Sequence, residues 1–323
     1  MRVALMIEGQ EGVTWEQWVT LARACEEHGL DGLFRSDHYL SITRGGAKRT
    51  DARAQPARPP DGAAESAPPG SLDAWATLTA LAAVTERIRL GTLVSPVTFR
   101  RASVLAKNVV TADHVSGGRV ELGIGAGWYE AEHNVYGFPF LTPRERVALL
   151  REQIETIVRQ WTDHPDVWPK PVQQPHPPLI VGGGGKPGTV GPAVRWATEY
   201  NTTNAGLEEC RERRRALDEA CQKAGRDPET LPLSLMATCL VGSDDGAVRE
   251  RVTLYLRETG GDESVDDYLR DDSPDRLAGT VEQVAERLAA YEEAGVTRAM
   301  LRPPTHEDVE MIPLLGELAT ALV

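Results

Sequence analysis

The sequence predicts an α/β fold of the (β/α)8 barrel (TIM barrel) type, and three observations predict it. Short apolar strands alternate with amphipathic helices eight times. Several strands read as continuous apolar runs, as parallel strands covered on both faces do. The length, 323 residues, suits one such barrel of about 250 residues with insertions. Eight units fit a closed barrel better than an open, doubly wound sheet, so one domain spanning residues 1–323 is expected.

The elements follow in order. VALMIE at 3–8 is the first strand. Thr14 with Gln17 three residues on is a capping-box start for a helix over 14–28, which Gly29 stops. GLFRS at 32–36 is the second strand, followed by a helix over 71–86. IRLGTLV at 88–94 is the third strand. Ser103 opens a helix that ends before Gly117 and Gly118, and RVELGIG at 119–125 is the fourth strand. Residues 143–161 carry Val147, Leu150, Ile154, Ile157 and Val158 at helical spacing. PLIVGG at 178–183 is the fifth strand, with a short helix over 189–197. EYNTT at 199–203 is a weak sixth strand. A strongly charged helix covers 207–224, and PLSLMATCLVG at 232–242 is the seventh strand. Thr280 and Gln283 repeat the capping-box spacing for a helix over 280–294 that Gly295 ends. TRAMLR at 297–302 is the eighth strand, and 306–322 forms the last helix.

Insertions follow the second, fourth and seventh strands. Residues 43–70 are rich in Pro, Gly, Ala and Arg without apolar periodicity, and read either as a surface excursion or as a lid. Residues 128–142 follow the fourth strand. Residues 243–279 contain a helical stretch at 247–258 between acidic runs, and would wall a site or serve a dimer contact.

Bulk composition narrows the function. A net charge of −13 argues against a nucleic-acid partner, which needs a basic surface. No apolar run nears the roughly 20 residues that span a bilayer. The N-terminus reads as a buried strand rather than a signal peptide, so a cytoplasmic protein acting on a small molecule is expected. Cys25, Cys210, Cys221 and Cys239 form no CxxC pair and read as reduced structural thiols; no metal site is expected.

In a barrel of this kind chemistry sits at the C-terminal ends of the strands. There the sequence places Glu8 on the first strand, and Arg35, Ser36, Asp37 and His38 on the second. Leu93, Val94, Ser95 and Pro96 end the third, and Gly125, Ala126, Gly127, Trp128, Tyr129 and Glu130 end the fourth. Gly182, Gly183, Gly184 and Gly185 with Lys186 end the fifth. A glycine run between strand and helix lets backbone N–H groups approach an anion, and Lys186 adds positive charge, so phosphate is the natural occupant. The spacing is not that of a Walker loop. His38 can exchange a proton near neutral pH. Glu132 and His133 lack the spacing of a zinc HExxH site.

Taken together, the stretches MIEGQEG, FRSDHYL, the segment from Asp73 to Phe140, and KPVQQPHPPLIVGGGG resemble the luciferase-like monooxygenase superfamily, over most of residues 1–200. Within it the chain looks most like the branch that uses the deazaflavin coenzyme F420 rather than FMN. The resemblance implies a flavin-like ring across the barrel mouth, against Ser36, His38, Leu93, Val94, Ser95, Gly125, Ala126, Gly127 and Trp128. It implies a non-prolyl cis peptide at Leu93–Val94, a phosphate on Gly182–Gly185, and His38 with Asp37 facing the reactive edge. Some F420-dependent relatives carry a Glu where this chain has Trp128, which leaves Glu8, His38 or Glu130 to hold the proton. It also implies a homodimer. The activity expected is hydride transfer to or from a small organic substrate. The alternatives are an FMN-dependent monooxygenase and a non-catalytic flavin-binding protein. A Schiff-base aldolase would need a lysine at a strand end, and none of Lys48, Lys107, Lys170, Lys186 and Lys223 clearly lies in a strand.

Overall fold

A computed structural model describes residues 1–42, 70–271 and 276–322. The strands are β1 (Arg2–Ile7), β2 (Gly32–Arg35), β3 (Arg89–Thr92), β4 (Ser95–Pro96), β5 (Val120–Gly125), β6 (Leu179–Gly182), β7 (Glu199–Thr203), β8 (Leu233–Gly242), β9 (Leu277–Thr280) and β10 (Val296–Arg302). The helices are α1 (Trp15–Glu27), α2 (Ala74–Ala82), α3 (Ala102–Ser116), α4 (Glu130–Tyr136), α5 (Pro143–Trp161), α6 (Pro187–Trp196), α7 (Leu207–Ala224), α8 (Asp245–Thr259), α9 (Val265–Arg270), α10 (Val281–Glu293) and α11 (Met311–Ala321).

The parallel sheet runs β10-β1-β2-β3-β5-β6-β7-β8, and β10 also pairs with β8, which closes the barrel. Leu5 thus stands between Leu33 on one side and Leu301 on the other. The two remaining strands are additions to the barrel: β4 pairs with the end of β5, and β9 with the end of β8.

Alternation along each strand sorts the side chains into two sets. Val3, Leu5, Ile7, Leu33, Leu122, Ile124, Tyr200 and Leu235 belong to the large core between sheet and helices. Ala4, Met6, Phe34, Ile180, Met236 and Met300 form a separate cluster inside the barrel, with Leu93 and Val94 above it. Below that cluster the interior is charged. Arg298 of β10 donates to Glu121 of β5 at 2.7 and 3.1 Å, to Glu199 of β7 at 2.8 Å, and to Asp31 ahead of β2 at 3.2 Å. The polarity of the sixth barrel strand follows from this: Glu199 and Asn201 face a polar interior, where Asn201 donates to Ser234 at 2.9 Å.

Both expected capping boxes, Thr14 with Gln17 and Thr280 with Gln283, close as anticipated, and Thr142 with Glu145 adds a third at the head of α5. The ends of other helices move. The helix expected over 71–86 spans only Ala74–Ala82 because Asp73 caps it, its carboxylate accepting from the Ala76 amide. The last helix starts at Met311, not 306. Within 243–279, α8 and α9 pack Val248, Val252, Leu256 and Tyr268 against Leu240 and Ala278, a small core on the extension of β8. Most of the 43–70 segment lies outside the described residues. No described helix is long and apolar enough to cross a membrane, and all four cysteines are buried and free.

Candidate active site

The C-terminal mouth of the barrel holds a cavity of about 290 Å³. It brings together, from separate strand ends, Glu8, Ser36, His38, Leu93, Val94, Gly125, Ala126, Gly127, Trp128, Gly182 and Gly183, all expected from the sequence. Pro96 from the end of the third strand and Asn201 and Thr203 from that of the sixth line it too; Met6, Ile42 and Met236 join them without having been singled out, and period-two alternation in β1 and β8 is the signal that would have found two of these. Asp37, Ser95, Gly184, Gly185, Lys186 and Glu130 are not among the lining residues.

The floor is built by omission of side chains. The Leu93–Val94 peptide is cis, and the Val94 side chain stands against β5 and β6. A Cβ on Gly125 would lie 2.5 Å from Val94 Cγ2, and one on Gly182 would lie 3.2 Å from Val94 Cγ1. Any larger residue at Gly125 would collide with Val94. The result is a shallow apolar slot of Leu93, Val94 and Ala126 with Trp128, 36 % exposed, at its edge. Such a slot fits a flat ring system.

His38 stands at the wall of this slot, its side chain 13 % exposed. Its Nδ1 lies 2.8 Å from Glu132 Oε2 on α4, and Trp128 and Tyr129 meet it edge-on at 5.8 and 6.2 Å. Burial draws the His38 pKa down, but the hydrogen bond to Glu132 and the charges of Glu132, Glu8 and Asp37 outweigh it. The net displacement is upward from the ordinary histidine value. Glu132 itself is fully buried and accepts on Oε1 from the amides of Tyr39 and Leu40, the latter at 3.0 Å. Sequence reasoning had considered Glu132 only for a zinc motif. Its partner lies 94 residues away, and no local spacing announces such a contact.

Asp37, by contrast, is turned into the wall. Arg100 Nη1 donates to it at 2.6 Å and Ser95 Oγ at 2.6 Å. Arg100 also reaches Asp73 at 2.5 Å and Tyr39 Oη at 3.0 Å. These contacts fix the ends of the loops after β2 and β3, and account for why Asp37 and Ser95 do not reach the slot. Glu8 stands at the end of the neighbouring strand β1, accepting from Gln10 at 3.0 Å and Arg302 at 3.3 Å. Ser36 Oγ accepts from the Gly9 amide at 2.8 Å and donates to Gln10 Oε1 at 2.5 Å.

The glycine run leads away from the slot. Gly182 and Gly183 line it; Gly184, Gly185 and Lys186 continue along the rim to α6, a ten-residue helix with Pro187 at its first position. The Gly185 amide donates to Tyr200 Oη at 2.9 Å, its φ of 72° is one that glycine adopts freely, and a Cβ on Gly184 would meet nothing within 4 Å. Helix N-terminus, open glycine and Lys186 form a rim suited to an anion.

A larger cavity of about 720 Å³ adjoins the slot, sharing Met6 and Glu8 with it. Arg302 at the end of β10 and His306 of the β10–α11 loop line it, and Leu254, Arg257 and Glu258 of α8 form its far side. The insertion after the seventh barrel strand therefore walls this space. Among the described residues no lysine lines either cavity.

A family model described as luciferase-like monooxygenase matches residues 1–298. An uncharacterized protein of Mycobacterium tuberculosis is 32 % identical over 282 residues, 83 % of this chain and 92 % of its own length. An F420-dependent glucose-6-phosphate dehydrogenase of Nakamurella multipartita is 26 % identical over 92 % of this chain and 89 % of its own. An FMNH2-dependent dimethylsulfone monooxygenase of Pseudomonas putida is 32 % identical over 32 % of each chain. Among solved structures, a monooxygenase from Streptomyces bottropensis superposes with a TM-score of 0.79 at 19 % identity, over 100 % of this chain and 98 % of its own.

Proposed function

The chain belongs to the luciferase-like monooxygenase family, and from that premise we propose that it is an oxidoreductase moving a hydride between coenzyme F420 and a small organic substrate with a C=C, C=N or C=O group. The observation that carries this reading is the slot itself: an apolar floor cleared by Gly125 and Gly182, an ionisable His38 at its wall, and an anion-suited rim leading from it. The F420-dependent relative matches nearly the whole chain, whereas the FMNH2-dependent one matches a third of it, which supports F420 over FMN.

When bound, F420 supplies two-electron hydride chemistry, whereas FMN would also open reaction with oxygen. The residues of this chain do the rest. Leu93, Val94, Gly125, Ala126, Gly127 and Trp128 are the residues that would hold the ring. Gly184 and Lys186, at the head of α6, would hold the phosphate, since the Gly183 and Gly185 amides already donate to Asn201 O and Tyr200 Oη. His38, with Nδ1 engaged by Glu132, holds a proton at Nε2 toward the slot, and Glu8 borders the cavity from the adjoining strand end. The substrate occupies the larger cavity beyond Glu8, which gives an enzyme room that a storage protein would not need. Two copies of the chain form the working dimer.

Titration of the purified protein with F420 and with FMN, each oxidised and reduced, tests this reading. Tight F420 and weak FMN binding is the expected result. Preference for FMN would make oxygen-dependent monooxygenation the activity, with oxygen uptake as the next assay. Binding of neither would remove both.

A further inference from the structure

We propose that Glu132 is the positioning residue for His38: it decides which ring nitrogen carries the permanent proton and thereby which one is presented to the cavity. The proposal rests on the reading of His38 as the proton-holding group of the site.

The argument begins with what a buried carboxylate can accept. Glu132 is fully buried on α4, and both its oxygens face donors. Oε1 takes the backbone N–H groups of Tyr39 and Leu40, and Oε2 faces His38 Nδ1 at 2.8 Å. An ionised carboxylate has no proton to give, so Nδ1 must be the donor. In the neutral ring the proton therefore sits on Nδ1, and protonation adds the second at Nε2. The same carboxylate fixes the ring plane and the two amides that follow His38 in the chain, so ring and loop are held together.

Charge balance around the ring points the same way. Glu132 and His133 face this region from α4, Glu8 from the end of β1, and Asp37 from the strand end that bears His38. Asp37 is matched by Arg100. His133 is held in the wall: its Nδ1 donates to the Tyr129 carbonyl at 2.7 Å, and its Nε2 lies 2.6 Å from Thr98 Oγ1. Burial leads the causes that place the His133 pKa below the ordinary value. A buried carboxylate without a counter-charge is costly. The His38 imidazolium is the group in hydrogen-bond contact that can supply one. Two histidines that meet the same turn of α4 thus shift in opposite directions, His133 downward in the wall and His38 upward at the slot.

The experiment needs no cofactor. Protein labelled with ¹⁵N-histidine is titrated by NMR, and His38→Gln assigns the His38 signals among the seven histidines. In the wild type Nδ1 should stay protonated throughout, with Nε2 losing its proton at a pH above the ordinary histidine midpoint of about 6.5. In Glu132→Gln the side-chain oxygen still accepts the two backbone amides, so its NH2 group faces Nδ1. The tautomer should invert, and the midpoint should fall by about one pH unit, a tenfold loss of proton affinity. Glu132→Asp keeps the charge and should retain a midpoint above that of Glu132→Gln. A folded Glu132→Gln protein with unchanged tautomer and midpoint would overturn the proposal. So would a wild-type His38 protonated only on Nε2 at high pH, a result available even if the variant failed to fold. Failure of the cofactor titration would overturn the functional reading while leaving these signals unaffected, so the two can be told apart.

Discussion

Replacing Arg298 by Met tests the charged layer at the closed end of the barrel. Arg298 is 1 % exposed and donates to three carboxylates, two of which, Glu121 and Glu199, are themselves buried. Burial opposes ionisation of Glu121, but the charge and hydrogen bonds of Arg298, followed by those of Arg89, outweigh it and pull its pKa down to about 2. Glu199 moves the other way: burial leads, and its pKa is raised. Removing one partner of a buried ion pair costs about 3–5 kcal/mol. Arg89 still contacts Glu121, and Arg2 stands 3.5 Å from Glu199, so the lower end, about 3 kcal/mol, is expected. At about 2.1 cal/mol/K of unfolding entropy per residue, that is a fall in Tm of about 4 °C for a chain this long. The sign with pH follows from Glu121. Its depressed pKa contributes stability that is complete above the unfolded carboxylate value and is lost as pH falls toward 2. The gap between wild type and Arg298→Met should therefore be widest near pH 7 and narrow below pH ~4, and adding Glu121→Gln should recover part of it. Denaturant unfolding followed by tryptophan fluorescence at several pH values reads this directly. A loss under about 1 kcal/mol at pH 7, or an equal loss at pH 7 and pH 4, would refute the reasoning.

Three further outcomes are expected. His38→Ala should lower turnover by about 10²–10⁴, the range for loss of a general acid–base group, while cofactor affinity changes little; unchanged turnover removes His38 from the mechanism. Gly125→Val should raise the dissociation constant for cofactor at least about tenfold because its side chain must displace Val94 from the floor, with circular dichroism verifying an intact fold; unaltered affinity would show that the ring lies elsewhere. Because the His38 pKa is raised, turnover that draws on the protonated ring should persist above the ordinary histidine range and decline as pH rises through the folded-state value. A profile whose alkaline limb survives in His38→Gln would assign that limb to another group.

The sequence was readable where local rules suffice. Thr14 with Gln17 and Thr280 with Gln283 mark helix starts by spacing alone, and apolar runs mark β1, β6 and β8. EYNTT was the weakest strand to read because its alternate residues are polar for a tertiary reason, a charged barrel interior that one strand cannot reveal. The additions β4 and β9 have little pattern of their own and exist by pairing with the extended ends of β5 and β8. At the site, strand-end logic brought most lining residues together. It could not distinguish Asp37, which turns to Arg100, from His38, which faces the slot, since the two are adjacent in sequence. Nor could it supply Glu132, whose contact with His38 spans 94 residues.

The position of Arg298 in the chain has a consequence for how the barrel is assembled. Its carboxylate partners belong to β5, β7 and the turn before β2, but Arg298 itself arrives with the closing strand. Until β10 docks, Glu121 and Glu199 lack this shared cation, and water must solvate them. Shutting the barrel's base ahead of the final strand would strand those negative charges in a dry interior. Docking of β10 therefore completes the charge pairing of the interior in the same step that closes the sheet. A nascent chain halted before Val296 should keep its β5 and β7 amides open to hydrogen exchange that the finished protein suppresses.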